Sequence, residues 1–288
     1  MLELSGVSKA YGQLPALCEV DLIFSQGLYA VLGHNGAGKT TLLRILAGIL
    51  RPNAGLFKRE GRSVGPHLRN HRDRTGYLPQ DFTPYPDLTV EQLLRYMAGL
   101  KNIPASLVDD RVDQLLQQVW LKGERRTLVR DLSGGMIRQL GLVASLLNDP
   151  DLVLLDEPFT GLDAFARQRI NGLLREQAAK RTVIVSSHVT TDVEGMADYV
   201  IILKEGRVKA FQRPEQMILR LAGRVWEVSV GEEQLAYLQR TYTLPRIRID
   251  AQGYRVRIVG SPPAHMVSRP VSPQLEDVYL AMTEEPAS

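Results

Sequence analysis

"LYAVLGHNGAGKTTLLRIL", residues 28–46, joins a short apolar run to a helical pattern through a glycine-rich turn. Leu28–Leu32 reads as a buried strand, and from Lys39 onward apolar residues recur at helical spacing. Gly33, Gly38, Lys39 and Thr40 satisfy G-x-x-x-x-G-K-[ST] in the strand-then-helix context that the pattern requires. Glycines let backbone N–H groups turn toward phosphate oxygens, and a helix N-terminus adds positive potential. The run Gly33, His34, Asn35, Gly36, Ala37, Gly38, Lys39, Thr40 and Thr41 therefore reads as a cradle for ATP. Lys39 would reach the β- and γ-phosphates, and Thr40 would offer a hydroxyl to Mg2+.

Working outward, "LVLLD" (152–156) and "TVIVSSH" (182–188) are further buried strands ending at Asp and His. Helical patterns begin at Lys39, Val90, Asp109, Ile137 and Ala166. Strands interleaved with helices predict a layered α/β domain with a parallel sheet. Residues 1–27 are more strand-like and polar, and "RPNAGLFKREGRSV" (51–64) reads as a hairpin-like excursion. Beyond residue 212 the pattern changes. "WEVSV" (226–230), "RIRID" (246–250) and "YRVRIVG" (254–260) alternate apolar and polar residues as half-exposed antiparallel strands do, with "DAQG" (250–253) as a turn between the last two. The expected division is a main domain over 1–212, with a helical subdomain at about 87–147, and a small α+β appendage over 213–288 whose end, "TEEPAS", is frayed.

The bulk properties set bounds. The 288 residues are 44% hydrophobic, enough for a large core, and 35 Lys and Arg against 32 Asp and Glu give no argument for nucleic acid. A single cysteine, Cys18, allows no internal disulfide and fits a reducing compartment. "MLELSGVSKAYG" lacks the basic-then-apolar signature of a secretory signal. No apolar run approaches the ~20 residues that a membrane helix needs.

Other stretches carry chemistry. In "LVLLDEP" (152–158) Asp156 is placed to hold Mg2+ through water, and Glu157 to polarise an attacking water. His188 ends a strand converging on the same sheet edge, which favours a γ-phosphate contact over a structural histidine. Gln80 in "GYLPQD" has an amide able to bind both metal and water, with a surface glutamine as the competing reading. Tyr11 offers a flat face to a purine, and equally reads as an ordinary core or surface tyrosine. "DLSGGMIRQL" (131–140) sets a serine and two glycines before a helix, a second anion-binding turn without a lysine. One nucleotide needs one cradle. The second turn makes sense if it faces the nucleotide of another chain, which predicts a head-to-tail pair with ATP between the copies.

These residues resemble the ATPase subunit of an ABC transporter over positions 1 to about 212, with the family's elements in the family's order. Tyr11 resembles the adenine-stacking aromatic, Gly33–Thr41 the Walker A loop, and Gln80 the Q-loop glutamine. Leu132, Ser133, Gly134, Gly135 and Met136 resemble the signature, Leu152–Glu157 Walker B, Gly161, Leu162 and Asp163 the D-loop, and His188 the switch histidine. The resemblance implies an α/β P-loop NTPase core of the ABC ATPase type with an antiparallel β subdomain, a helical subdomain and a small C-terminal α+β appendage. It implies ATP hydrolysis with Mg2+, catalysis by Glu157, His188 and Gln80, and Mg2+ contacts from Thr40, Gln80 and Asp156. The signature of one copy would bind the γ-phosphate held by its partner, a second copy of this chain. Met136 departs from the glutamine common in that place, which removes a polar side chain and keeps the serine hydroxyl and glycine amides.

"PQLEDVYLAMT" (273–283) and "YLPQDFTPYPDLTVEQLLRYMAGL" (77–100) are similar to the type-two exporter class, the daunorubicin-resistance type. Such ATPases work on the inner face of the cell membrane with a separate integral membrane permease, which would be contacted near Gln80–Gly99. Ribosome-acting relatives carry two nucleotide domains and DNA-repair relatives long coiled coils, and this chain has neither. The basic stretch "KREGRSVGPHLRNHRDR" (58–74) reads as a solvated excursion, and no nucleic-acid partner is expected. Glu157 and His188 argue against a non-hydrolysing regulatory module.

Overall fold

The computed structural model describes residues 1–65, 67–242, 244–250 and 253–284. The chain forms two compact units, Met1–His188 with Leu203–Val208, and Val189–Ile202 with Lys209–Ser288. In chain order the first unit holds strands β1 (Leu2–Tyr11), β2 (Leu14–Phe24) and β3 (Gly27–Leu32), helix α1 (Lys39–Leu46), strands β4 (Ala54–Arg59) and β5 (Arg62–Ser63), helix α2 (Leu68–Asp73), and strand β6 (Thr75–Leu78). Helices α3 (Val90–Leu100), α4 (Ala105–Gln118) and α5 (Gly134–Leu146) follow, then strand β7 (Leu152–Leu155), helix α6 (Ala164–Ala178) and strand β8 (Thr182–Ser187).

Strands β3, β8, β7 and β6 run parallel in that spatial order. Every residue of β7 and β8 is buried, which their unbroken apolar runs require of strands covered on both faces. Helices α1 and α5 pack against β7, and α6 packs against β8. Strands β2, β1, β4 and β5 make a separate antiparallel sheet in which Leu2, Leu4 and Val7 point inward. The 51–64 excursion is the β4–β5 hairpin, with Lys58 opposite Ser63 and Arg59 opposite Arg62.

Helices α3, α4 and α5 pack on one another through Leu93, Leu94, Val112 and Leu116. Thr89 and Gln92 close a capping box at the start of α3, each side chain accepting from the other's backbone N–H at 3.2 and 2.9 Å. Three helices begin earlier than the apolar periodicity suggests, and for two of them a capping side chain sets the start. Ser133 Oγ accepts from Met136 N at 3.2 Å, so α5 starts at Gly134, and Asp163 Oδ1 accepts from Ala166 N at 2.8 Å, so α6 starts at Ala164. Pro104 precedes α4, which starts at Ala105. The basic stretch is not wholly solvated: α2 lies within it, and His71 and Arg59 are buried.

Helix α7 (Thr190–Val193) belongs to the second unit, strands β9 (Tyr199–Lys204) and β10 (Arg207–Gln212) each have residues in both units, and the remainder of the second unit follows. That remainder is helix α8 (Pro214–Leu219), strand β11 (Val225–Val230), helix α9 (Glu232–Thr241), strands β12 (Arg246–Asp250), β13 (Gly253–Val259) and β14 (Ser268–Pro270), and helix α10 (Leu275–Thr283). The antiparallel order is β12-β13-β11-β14, one strand more than the sequence pattern suggests, because Ser268–Pro270 is too short to show an alternation. Val228, Val256 and Ile258 pack with Leu238 of α9 in a core of their own. The turn read at Ala251 and Gln252 and the frayed end at 285–288 lie outside the described residues.

Candidate functional site

Gly38 caps α1 with a φ of 106°, and a Cβ there would sit 2.4 Å from the Ala16 carbonyl. Only glycine fits this conformation and this approach. The loop it closes borders an open cleft of about 420 Å³ lined by His34, Gly36, Lys39, Thr40, Gln80 and Glu157, among others. At the start of α1 the N–H groups of Lys39, Thr40 and Thr41 precede any intrahelical acceptor, so three donors converge at one edge of the cleft.

Lys39 is 6% exposed. Its ammonium donates to the carbonyls of Gly33 at 2.7 Å and His34 at 3.3 Å, and lies 3.3 Å from Glu157 Oε1. The other carboxylate oxygen of Glu157 is 2.9 Å from His188 Nδ1. Half of the His188 side chain is exposed while that of Glu157 is 8% exposed, so the carboxylate sits between a buried cation and a ring open to solvent. When Nδ1–H donates to Glu157, Nε2 is left for a second partner.

Glu157 adopts a φ of 52°, a left-handed conformation that costs a non-glycine residue on the order of 1 kcal/mol. Two side chains hold it there. Ser186 Oγ accepts from Glu157 N at 2.9 Å and donates to Asp156 Oδ1 at 2.6 Å. Arg138 Nη2 donates to the carbonyl of Glu157 at 2.9 Å and to that of Asp156. Nη1 of the same guanidinium donates to the carbonyls of Pro79 at 2.8 Å and Gln80 at 2.9 Å. Burial pulls the Arg138 pKa below the ordinary arginine value, and the charges of Asp156 and Glu157 oppose that shift. Sequence reasoning missed both residues. The available signal was polarity out of place: Ser186 interrupts a buried strand, and Arg138 stands in a helix whose next nine residues are buried or nearly so.

Asp156 is fully buried, and its Oδ2 has no hydrogen-bond partner among the described residues. A desolvated carboxylate oxygen without a donor suits a hard cation, and together with the Thr40 hydroxyl and the Gln80 amide oxygen, which line the cleft, it would offer oxygen ligands of the kind Mg2+ takes. Among the described residues, no three His, Cys, Asp or Glu are grouped to hold a metal without help. Phosphate oxygens and water would have to complete the shell.

Other residues singled out from the sequence lie elsewhere. Ser133 and Gly134 are exposed at the head of α5 and do not line the cleft. Gly135 approaches Gly161 so closely that a Cβ would be 3.0 Å from its carbonyl, so the turn of residues 132–136 and that of 161–163 pack as one surface. Leu132 and Leu162 are buried, Met136 is half-buried, and Asp163 caps α6. Tyr11 is exposed at the end of β1, with the Lys9 ammonium 5.8 Å from its ring centroid.

Comparison with known proteins agrees with this geometry. A family model described as ABC transporter matches residues 19–160. Nod factor export ATP-binding protein I of Cupriavidus pinatubonensis is 32% identical over 297 residues, covering 98% of this chain and 90% of that protein. A solved ATP-binding subunit of an ABC transporter superposes with a TM-score of 0.70 at 28% identity, covering 76% of this chain and 92% of the other. A bacterial ABC cassette solved as a dimer, MJ0796, shares the fold with a TM-score of 0.69 at 24% identity, over 74% of this chain and 98% of the other. The chain belongs to the ABC transporter ATP-binding family. It is an ATPase of the transport class, akin to the ATP-binding subunits of exporters. No helix among the described residues is long and apolar enough to cross a membrane.

Proposed function

We propose that this chain is the motor of an exporter: two copies each take up MgATP, close head to tail around both nucleotides, hydrolyse them and reopen. The observation that carries the reading is the separation of two anion-binding turns. The Gly33–Thr41 loop lines the cleft that also holds Glu157, while Ser133 and Gly134 face solvent outside it. A second copy is the partner whose nucleotide would engage that exposed turn.

In the bound state Lys39 exchanges its carbonyl contacts for β- and γ-phosphate oxygens, and Glu157 is released toward an attacking water. Glu157 accepts the proton as the water oxygen bonds to the γ-phosphorus and the bond to the β-phosphate oxygen breaks, giving ADP and phosphate. His188 steadies the carboxylate and then a γ-oxygen, and Gln80 orients the water. Thr40, Asp156 and Gln80 would hold Mg2+, which neutralises developing phosphate charge. Tyr11 would stack on the adenine. Gly161, Leu162 and Asp163 would join the signature residues at the contact between copies.

Closure works on a membrane permease. Tyr85 and Tyr96 meet edge to face at 5.7 Å, and both are exposed together with Leu100, an apolar surface beside Gln80 suited to a cytoplasmic loop of that permease. The chain would thus lie on the inner face of the cell membrane, with residues 1–212 as the nucleotide-binding domain and 213–288 as its appendage. The cargo is selected in the permease.

The test is Glu157→Gln. Phosphate release should fall by roughly 10² or more while ATP affinity stays within about threefold. Wild-type turnover in the variant would remove Glu157 from the role of base.

A further inference from the structure

Through its side-chain hydrogen bonds Arg138 reaches both the Gln80 turn and the Glu157 turn. It donates to four carbonyl oxygens, those of Pro79, Gln80, Asp156 and Glu157, from a position 7% exposed. None of the four acceptors is a carboxylate, so a charged group has been buried to organise backbone. A planar fork of fixed N–H directions can bridge two turns in this way, whereas a single ammonium cannot.

The two turns are the ones whose geometry the chemistry needs. Glu157 sits at a φ of 52°, and such a conformation persists only where its surroundings over-determine it. Its N–H is fixed by Ser186 and its carbonyl by Arg138, which aims the carboxylate at Lys39 and His188. Gln80 is exposed on the cleft, with its backbone carbonyl held 2.9 Å from the same guanidinium. Arg138 also lies in α5, the helix that Ser133 caps, so the exposed turn at the head of that helix is registered to the chain's own hydrolytic carboxylate.

We infer that Arg138 is a positioning residue for hydrolysis: it locks the Gln80 turn to the Glu157 turn, so that the residue orienting the water and the residue accepting its proton approach the γ-phosphate in one geometry. This inference rests on the proposed role of Glu157. Arg138 touches no substrate, and its effect belongs to the chemical step and not to nucleotide uptake, because Lys39 and the Gly33–Thr41 loop are held by contacts it does not make.

The experiment is a double-mutant cycle in the full-length chain, with Arg138→Lys and Glu157→Gln singly and together, and Arg138→Met as a second truncation. Steady-state phosphate release, affinity for a fluorescent ATP analogue and thermal unfolding are measured for each. Arg138→Lys should lower kcat about tenfold and Arg138→Met about a hundredfold, with KM and nucleotide affinity within threefold of wild type, since misplacing a catalytic group is costly in rate while binding is spared. In the Glu157→Gln background, Arg138→Lys should cost less than threefold, because the proton acceptor that the shared geometry serves is already gone and aligning Gln80 with it no longer speeds the step. Equal losses in both backgrounds, or loss of affinity in step with kcat, would show a general structural role and overturn the inference, as would unchanged kcat in both Arg138 variants. If Glu157→Gln by itself keeps wild-type turnover, it is the base assignment that has failed, and a kcat loss in Arg138→Lys would then have to act through Gln80 alone.

Discussion

Nε2 of His71 lies 2.7 Å from the Leu46 carbonyl and Nδ1 lies 3.0 Å from Arg59 Nη1, so the ring donates at one nitrogen and accepts at the other. That arrangement needs the neutral imidazole. Desolvation, with the charges of Arg59, Arg72 and Arg74 adding to it, lowers the His71 pKa from 6.5 to about 4 despite the favourable Leu46 contact. The unfolded chain therefore takes up a proton before the folded chain does. His71 supports stability fully above pH 6.5, and that support is lost as pH falls from 6.5 toward 4, up to about 3 kcal/mol. Denaturant titrations across this window should show wild type weakening and His71→Gln, which cannot titrate, weakening by clearly less. Equal slopes would place the titration elsewhere. At this scale the sequence is an uneven guide: Lys39, Thr40, Gln80 and Glu157 are legible because a local motif names each, and the fold brings them to one cleft. Arg138, Ser186 and His71 have no motif, since each side chain works through partners between 12 and 59 residues away. His71 illustrates the loss most plainly. A residue in a run of charges reads as solvated until the Leu46 carbonyl is seen beside it.

Elements follow from capping and burial more than from composition. The closing stretch "PQLEDVYLAMT" shows what a family-like motif can do without touching a ligand. Asp277 is fully buried and accepts from Nε and Nη2 of Arg257, each at 2.6 Å, while its Oδ2 also accepts from Gln274 N at 2.7 Å. One carboxylate thus caps α10 and ties it to β13. Arg246 and Glu276 add a second link at 2.6 Å from β12 to the same helix. Removing one partner of a buried ion pair leaves the other charge desolvated, so Asp277→Ala should destabilise the second unit by about 3 kcal/mol. Trp226 packs against that unit's core, and in a Trp120→Phe background its fluorescence reports this unfolding alone. A midpoint unchanged within error would mean that α10 docks by its apolar face, Leu275 and Val278, without the pair. The parallel strands of the first unit were legible because burial on both faces leaves unbroken apolar runs. Helices α2, α8 and α9 were not, because six to ten residues with one or two buried side chains give too weak a period.

At the scale of the molecule, the fold class and the family membership follow from a few local motifs, because the family's chemistry requires them in a fixed order on one sheet edge. Head-to-tail closure does not follow from one copy, and it makes a prediction that no other arrangement of two copies shares. Ser133→Arg should fill the exposed turn with a bulky cation and leave the Gly33–Thr41 loop intact, while Lys39→Ala should do the reverse. In a Glu157→Gln background, which retains ATP, neither variant alone should form dimers, since each homodimer would have two broken composite sites. Mixing them changes the arithmetic of interfaces. One interface then joins two defective halves, and the other joins the intact loop of Ser133→Arg to the intact turn of Lys39→Ala. Light scattering on the mixture with MgATP should show dimers, at an affinity well below the parent's because one of two composite sites is lost, with about one nucleotide retained per pair. Dimers of either variant by itself would mean that the copies meet through another surface. A monomeric mixture, with the parent dimerising under the same conditions, would mean that both composite sites must fill together, and adding the permease would then show whether closure depends on it.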